Sequence, residues 1–213
     1  MTIHAYYEDY LYHAQGVLGD MMDFAVNTCD LDPDDFFQKF IVAGVANQFG
    51  SGNPKYLAGM TGCEIVKEVM QKCGQPVDDI QDEMYLDKSQ EYWAGWALCY
   101  YQWYSGRSFH KIYQAISMQE IIRMYDVFHE MDIQQFVDAM NQKYDAFYPE
   151  TNLKRIRRNA KMSQSELSED AGVSIRQIQL FEQRQRDINK TNAITVVKLA
   201  KALGCEMEVL LEI

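Results

Sequence analysis

The chain has 213 residues, of which 47% are hydrophobic, and its formal net charge at pH 7 is −11. This length allows one large or two small domains, and the apolar content favours packed cores over a disordered chain. An overall charge of −11, taken alone, argues against binding to a polyanion such as DNA. No apolar run is long enough to span a bilayer and no signal-peptide pattern opens the chain, so we expect a cytoplasmic protein without a membrane partner.

The cysteine and histidine patterns give no sign of a metal site or a catalytic centre. The five cysteines are odd in number and widely spaced, which indicates reduced thiols. No C-x-x-C or H-x-x-x-H spacing occurs, so we expect no metal and no cofactor. No nucleophile–base pair or phosphate-cradling glycine loop stands out either. An enzyme is therefore not expected, and an enzymatic N-terminal domain is kept as an alternative from a different class.

The N-terminal part of the chain breaks into helices with recognisable starts. Apolar residues recur at helical spacing between residues 7 and 25, which predicts a first helix there. Few segments alternate in the way strands do, so an all-α fold is expected. Further helices should begin at capping residues, because their side chains accept hydrogen bonds from the first free backbone N–H groups. These are Asp32 with Pro33, Thr61 with Glu64, Ser89, Ser117 with Glu120, and Asp132 with Gln135.

Residues 75–88 and the region around Pro149 lack helical periodicity and are predicted to connect helices. Residues 75–88 are polar and are predicted to form a surface loop. Pro149 punctuates the end of the last N-terminal helix, which places a domain boundary at about residues 148–152. We therefore expect an acidic helical domain over residues 1–150 and a second domain over residues 151–213.

The helix expected after Ser89 carries an unusual number of large aromatic residues and should end near Gly106. We favour the interpretation that this is a central helix buried in the core, because large aromatic residues dominate ordinary cores. The alternative is a groove for a protein partner or a small ligand, since Trp and Tyr tolerate water at their polar tips. We expect at least two of the three tryptophans to be buried and one to be partly exposed. The stripe at helical spacing consists of Trp93, Trp96, Tyr100, Trp103 and Tyr104.

The segment SQSELSEDAGVSIRQIQLFE, residues 163–182, predicts two short helices joined by a tight turn. Ser163 with Glu166 forms a capping box for the first helix, and Ser174 with Gln177 has the same pattern for the second. Gly172 lies between them and can adopt the left-handed conformation that a sharp turn requires. This arrangement is a helix-turn-helix, which offers its second helix to the major groove of DNA.

At these residues the chain resembles the Cro/cI-type (XRE, lambda-repressor-like) family of regulators. The resemblance runs from about residue 152 to residue 211 and includes the basic segment LKRIRRNAKMS, GVS before the second helix, and LAKALGC. It implies a five-helix DNA-binding domain after the multi-helix N-terminal domain. Two positions depart from the usual pattern. Ser168 stands where alanine is commonest, and Arg184 stands where a glycine often ends the recognition helix.

The charge is divided unevenly along the chain, and the division agrees with this resemblance. Residues 151–213 hold 11 Lys/Arg and 8 Asp/Glu, a net charge of +3. Residues 1–150 hold 9 Lys/Arg and 23 Asp/Glu, a net charge of −14. Phosphate binding depends on the local field, which falls off within about 10 Å at moderate salt. The acidic total therefore does not exclude DNA as a partner of the C-terminal domain.

The resemblance implies which residues meet double-stranded DNA. Arg176 can make a bidentate contact with guanine, and Ile175 can meet a thymine methyl group. Ser174 and Gln179 share the exposed face at the start of the recognition helix. Gln164 opens the preceding helix, where family members touch a phosphate or support a recognition side chain. The candidate phosphate contacts are Arg155, Arg158, Arg184, Arg186 and Lys190.

These observations predict a sequence-specific DNA-binding transcriptional regulator, a repressor that acts as a homodimer. One module contacts few base pairs, so specificity normally requires two modules on a two-fold operator. The dimer contact is predicted either in residues 206–211 or in the N-terminal domain, which is left to sensing, dimerisation or partner binding. One alternative is an antitoxin-like autorepressor whose N-terminal domain binds a toxin. Another is a helical interaction protein that does not read DNA.

Overall fold

The computed structural model describes residues 4–77, 79–82 and 87–212, and every regular element in these ranges is helical. The predicted all-α fold is confirmed. The predicted loop of residues 75–88 lies partly outside the described ranges, at residues 78 and 83–86. The chain divides into two compact units, residues 4–144 and residues 145–212, and the division falls in the last turn of one helix.

The first unit begins with a 3-10 turn, Glu8–Tyr10, and helix α1, Leu11–Asp23, which continues as a π-helical segment, Phe24–Thr28. The first helix is therefore confirmed, but it starts later and ends later than its apolar spacing predicted. The helices that follow are α2 Pro33–Val42, α3 Val45–Gly50, α4 Pro54–Leu57, α5 Gly62–Lys72, α6 Gln90–Ser105, α7 Phe109–Ala115, α8 Met118–Arg123, α9 Tyr125–Phe128 and α10 Ile133–Phe147.

The predicted capping residues start these helices. The Asp32 side chain accepts hydrogen bonds from the first backbone N–H groups of α2, at 3.0 and 2.9 Å. Thr61 and Glu64 form a reciprocal capping box at the start of α5. Ser89 Oγ accepts from the Tyr92 N–H at 3.0 Å and so begins α6. These local bonds satisfy donors that would otherwise be orphaned at each helix start.

Helix α1 packs closely against α5 and α6 because glycines remove side chains at the contact points. A Cβ on Gly95 would lie 2.4 Å from the carbonyl oxygen of Leu18, and a Cβ on Gly62 would lie 2.3 Å from the backbone nitrogen of Met21. Neither position can therefore carry a larger residue without separating the helices. The neighbouring core is aromatic: the Phe109 ring meets Phe37, Phe40 and Phe49 edge to face, at 6.0, 5.8 and 5.9 Å between centroids.

The tryptophans of α6 are less buried than predicted. Trp103 is 4% exposed, but Trp93 and Trp96 are only half-buried, so the expectation of at least two buried tryptophans was wrong. The difference comes from what covers each end of the helix. His4 stacks on the Trp103 ring at 3.7 Å, and the Trp103 Nε1–H donates to the carbonyl oxygen of Tyr6 at 2.9 Å.

The second unit contains four α-helices among its described residues, α11 Asn152–Asn159, α12 Gln164–Ala171, α13 Ile175–Glu182 and α14 Ala193–Leu203. Two 3-10 helices complete it, Ile188–Lys190 and Met207–Leu210, so the last of the five helices predicted from the resemblance is 3-10. Its core is formed by apolar residues from each of these elements and from the turn between α12 and α13: Leu153, Leu167, Ala171, Val173, Ile178, Phe181, Ile188, Val196, Leu199, Ala200 and Leu210.

Candidate nucleic-acid interface

The start of α12 is fixed by a capping box of the predicted kind. Ser163 Oγ accepts a hydrogen bond from the Glu166 N–H at 3.1 Å, and the Glu166 carboxylate accepts from the Ser163 N–H at 2.7 Å. The backbone and side-chain hydrogen bonds from Ser163 hold the pKa of Glu166 below its usual range. The carboxylate therefore remains charged at the positive end of the helix dipole.

The turn between α12 and α13 also forms as its sequence predicted. Gly172 has φ +59°, in the left-handed region. Ser174 Oγ then accepts a hydrogen bond from the Gln177 N–H at 3.3 Å and starts α13. Ser168, which stands where the family usually has alanine, contributes a further bond: its hydroxyl donates to the carbonyl oxygen of Val173 at 2.7 Å. The serine at this position therefore adds a hydrogen bond that connects α12 to the end of the turn.

Helix α13 has a buried face and an exposed face. Ile178, Phe181 and Glu182 are buried, and they anchor the helix to the core of the unit. Ile175 is 39% exposed, Arg176 is exposed and Gln179 is half-buried. Residues three and four positions apart share one side of a helix, so these three side chains, with exposed Ser174 before them, form one surface.

A buried ion pair fixes α13 relative to α11 and α12. The Arg157 guanidinium donates to the two Glu182 carboxylate oxygens at 2.6 and 2.8 Å, and to the Met162 carbonyl oxygen at 2.7 Å. Gln164 Nε2 donates to Glu182 at 2.8 Å. The hydrogen bond that Arg157 donates to Glu182 raises the pKa of Arg157, so this guanidinium stays charged.

Arg157 is an important residue that sequence reasoning missed. It looked like one more cation of a basic helix, yet its side chain is only 11% exposed. The available signal was its spacing, because Arg157 follows the buried Leu153 by one helical turn and so lies on the inner face of α11. The ion pair also shows what Gln164, a predicted DNA contact, does within the unit: it completes the hydrogen bonding of Glu182.

Of the five predicted phosphate contacts, three side chains are exposed and two, Lys190 and Arg184, are half-buried. Arg155, Arg158 and Arg186 are exposed. Arg158 pairs with Glu150, and Arg155 bonds to the side chain of Asn152 at 3.1 Å. Lys190 is half-buried, with its ammonium nitrogen 3.9 Å from the Asp187 carboxylate.

Arg184 occupies the position where family members often have glycine, and it adopts the same backbone conformation, with φ +54°. Its Nη2 donates to the Tyr148 carbonyl oxygen at 2.6 Å, and its Nε lies 3.3 Å from the Asp145 carboxylate. The side chain is 21% exposed. These contacts hold the guanidinium inside the unit, in contrast to the exposed Arg155, Arg158 and Arg186.

The aromatic stripe of α6 is divided in the structure. Trp93 and Trp96 line a cavity of about 410 Å³, whereas Tyr100, Trp103 and Tyr104 are not among its lining residues. The rings of Tyr100 and Tyr104 stack on each other, with centroids 6.2 Å apart. The five residues predicted as one groove therefore do not form a single site.

The geometry of α12, the left-handed turn and α13 defines a helix-turn-helix module. Residues 153–210 match the helix-turn-helix family model, so the C-terminal module is a helix-turn-helix of the XRE type. The match covers the C-terminal region alone, and it indicates a DNA-binding regulator domain. No curated protein and no solved structure matches the chain.

Two further observations concern metal ions and membranes. Over residues 4–77, 79–82 and 87–212, no group of three His, Cys, Asp or Glu side chains is placed to hold a metal ion. Across the same ranges, each helix is too short or too polar to cross a membrane.

Proposed function

We propose that the protein is a cytoplasmic, sequence-specific transcriptional repressor that binds double-stranded DNA as a homodimer. The observation that carries this proposal is the surface of α13. It presents Arg176 with Ile175 and Gln179 on one exposed face, while the buried Arg157–Glu182 pair fixes the opposite face. A guanidinium on a rigid helix can make the bidentate contact that distinguishes guanine in the major groove.

Charge and exposure support the assignment of roles around this helix. Arg155, Arg158 and Arg186 are exposed cations of the same unit, and we assign them to phosphates. Gln164 and Arg184 already have partners within the unit, and we assign them to positioning α13 and the loop after it. Sequence specificity then comes from α13 alone.

Apolar side chains exposed on the C-terminal unit favour it as the dimer contact. Ile194 at the start of α14 is 65% exposed, and Met207 and Val209 in the last 3-10 helix are 42% and 45% exposed. Met207→Asp should therefore shift the protein towards the monomer in sedimentation experiments and weaken operator binding. Val42→Asp is the matched control, since Val42 is 74% exposed in the other unit. If the Met207→Asp protein remains dimeric, the dimer contact does not include Met207 and lies elsewhere.

The main experiment selects binding sites from random DNA with the purified full chain. A defined, two-fold symmetric site is expected. On that site, Arg176→Ala should cost about 1–3 kcal/mol and relax the preference at one base pair.

Arg158→Ala is the matched control for Arg176→Ala. It should weaken binding to every sequence and reduce the salt dependence, because it removes a phosphate contact. Equal losses on the selected site and on random DNA for Arg176→Ala would reassign Arg176 to a phosphate. Failure to select any site would contradict the proposal.

A further inference from the structure

We propose that the cavity beside α6 binds a small, uncharged aromatic molecule. The cavity has a volume of about 410 Å³ and lies entirely within the first unit, between α6, α9 and the segment that leads into α10. Sites for small organic ligands usually have volumes of roughly 300–1,000 Å³. The cavity is therefore large enough for a molecule with two or more rings.

The walls of this cavity are aromatic, and several of the rings are held in place. Trp93 meets Tyr125 edge to face at 5.7 Å and meets Phe136 in the same way at 5.4 Å. Tyr125 stacks on His129 at 4.2 Å, with an angle of 15° between the ring planes. Trp96 and Tyr92 complete the wall contributed by α6. Fixed rings offer a flat ligand both stacking and edge-on contacts with little loss of side-chain entropy on binding.

Three polar side chains of the lining, Lys88, Ser89 and His129, already have partners, which argues for an uncharged ligand. The Lys88 ammonium lies 2.8 Å from Asp20 and 4.3 Å from the centre of the Tyr92 ring. Ser89 donates to Asp23 at 2.5 Å and accepts from the Tyr92 N–H. His129 Nδ1 lies 2.8 Å from the Tyr125 carbonyl oxygen. A charged ligand would lose its hydration here and would have to displace one of these partners, whereas an uncharged one would not.

Met131 provides a way to test the site without disturbing the fold. It lines the cavity, and 44% of its surface remains exposed. Val127 on the neighbouring helix α9 is 54% exposed and is not a lining residue. An aspartate at either position adds the same charge at an exposed site, but only the one at residue 131 places it against the ligand.

The experiment titrates the full chain with N-phenyl-1-naphthylamine, an uncharged aromatic dye whose fluorescence increases in apolar surroundings. Saturable binding of one dye per chain is expected, without DNA present, so the result is independent of the proposed repressor function. Met131→Asp should weaken binding roughly tenfold or more, and Val127→Asp should leave it unchanged. Trp96→Leu, which removes a ring from the wall, should also weaken it. Thermal melts establish that each variant is folded.

The charge requirement is tested with 8-anilinonaphthalene-1-sulfonate, which keeps the two aromatic groups and adds a sulfonate. Its affinity should be lower than that of the uncharged dye by roughly tenfold. Equal or tighter binding of the sulfonate would overturn the assignment of an uncharged ligand. Dye binding that does not saturate, or that is the same in Met131→Asp and Trp96→Leu as in the original chain, would overturn the site itself.

Discussion

Glu182 is a charged residue inside the core of the second unit, with its side chain 3% exposed. Replacing it with alanine leaves the Arg157 guanidinium buried without its counter-ion. We therefore expect Glu182→Ala to reduce the free energy of unfolding by about 3–5 kcal/mol, as urea denaturation would measure it. Arg158→Ala is the control, because it removes an ion pair in which Arg158 is 60% exposed and should cost no more than about 1 kcal/mol. Similar losses in the two variants would contradict a special role for the buried pair.

Glu68 links the stability of the first unit to pH. Partial burial opposes its charge, but hydrogen bonds from Lys55, Lys72 and Tyr56 outweigh burial and lower its pKa from 4.5 to about 2. A carboxyl group with a lower pKa in the folded state stabilises the fold above pH 4.5, and this contribution is lost as the pH falls towards 2.

Glu68→Gln should consequently be less stable than the original chain at pH 7, by roughly 1 kcal/mol once solvent screening is allowed for. The difference between the two proteins should shrink as the pH is lowered from 5 towards 2.5, because the original chain loses the contribution that the variant lacks. Urea unfolding of both proteins at a series of pH values measures this difference in the free energy of unfolding. A difference that stays constant with pH would show that the ion pairs of Glu68 are not its source.

Residues with local partners could be predicted from the sequence, and residues with distant partners could not. Ser163 bonds to a residue three positions away, so its capping box is visible as a short motif. Arg157 meets a partner 25 residues away, and Arg184 meets the backbone 36 residues away. Their charge suggested DNA contacts or solvent in each case. Only the packing of the helices reveals that these side chains stabilise the unit from within.

At the scale of an element, the close contact between α1 and α6 depends on the missing side chain of Gly95. Gly95→Ala would place a Cβ 2.4 Å from the Leu18 carbonyl oxygen, which belongs to the backbone and cannot rotate away. We expect a loss of about 1–3 kcal/mol or more in the free energy of unfolding. Gly16→Ala in α1 is the matched control, because no atom lies within 4 Å of the added Cβ. It should stabilise the helix by up to about 1 kcal/mol, so destabilisation by both variants would contradict the close-contact explanation.

For helix α6, the sequence pattern predicts the bounds of the helix but not the burial of its side chains. Its start at Ser89 and its end before Gly106 were predicted correctly from the sequence. The prediction failed for burial, because periodicity tells which residues share a face and not what covers that face. His4 and Tyr6, far away in sequence, cover Trp103, while Trp93 and Trp96 border a cavity.

At the scale of the whole molecule, we propose that the second unit is a domain that folds by itself. A fragment of residues 145–213 should fold and bind the selected operator weakly, because one such module buries roughly 600–1,000 Å² of its surface on DNA. A fragment of residues 151–213 should melt at a lower temperature, since it lacks Asp145 and the Tyr148 carbonyl, which hold Arg184.

Thermal melts and gel-shift titrations of both fragments measure these effects. If the fragments are unfolded, or if their melting temperatures are equal, the domain boundary is not the one proposed. The fragments also separate the two halves of the charge distribution. Residues 1–150 carry −14, so their removal should strengthen binding to random DNA, and more so at low salt.

The packing of α1 against α6 also determines when the chain can fold during its synthesis. Gln15 in α1 donates to the Trp96 carbonyl oxygen, 81 residues further along the chain. At a synthesis rate of about 5–20 residues per second, the apolar face of α1 waits roughly 4–16 seconds for its partner to be made. Nascent chains arrested before Gln90 should therefore crosslink to chaperones through α1, and chains arrested well after Ser105 should not. Equally weak crosslinking at both lengths would show that α1 is covered before α6 is made, and equally strong crosslinking would show that α6 does not cover it.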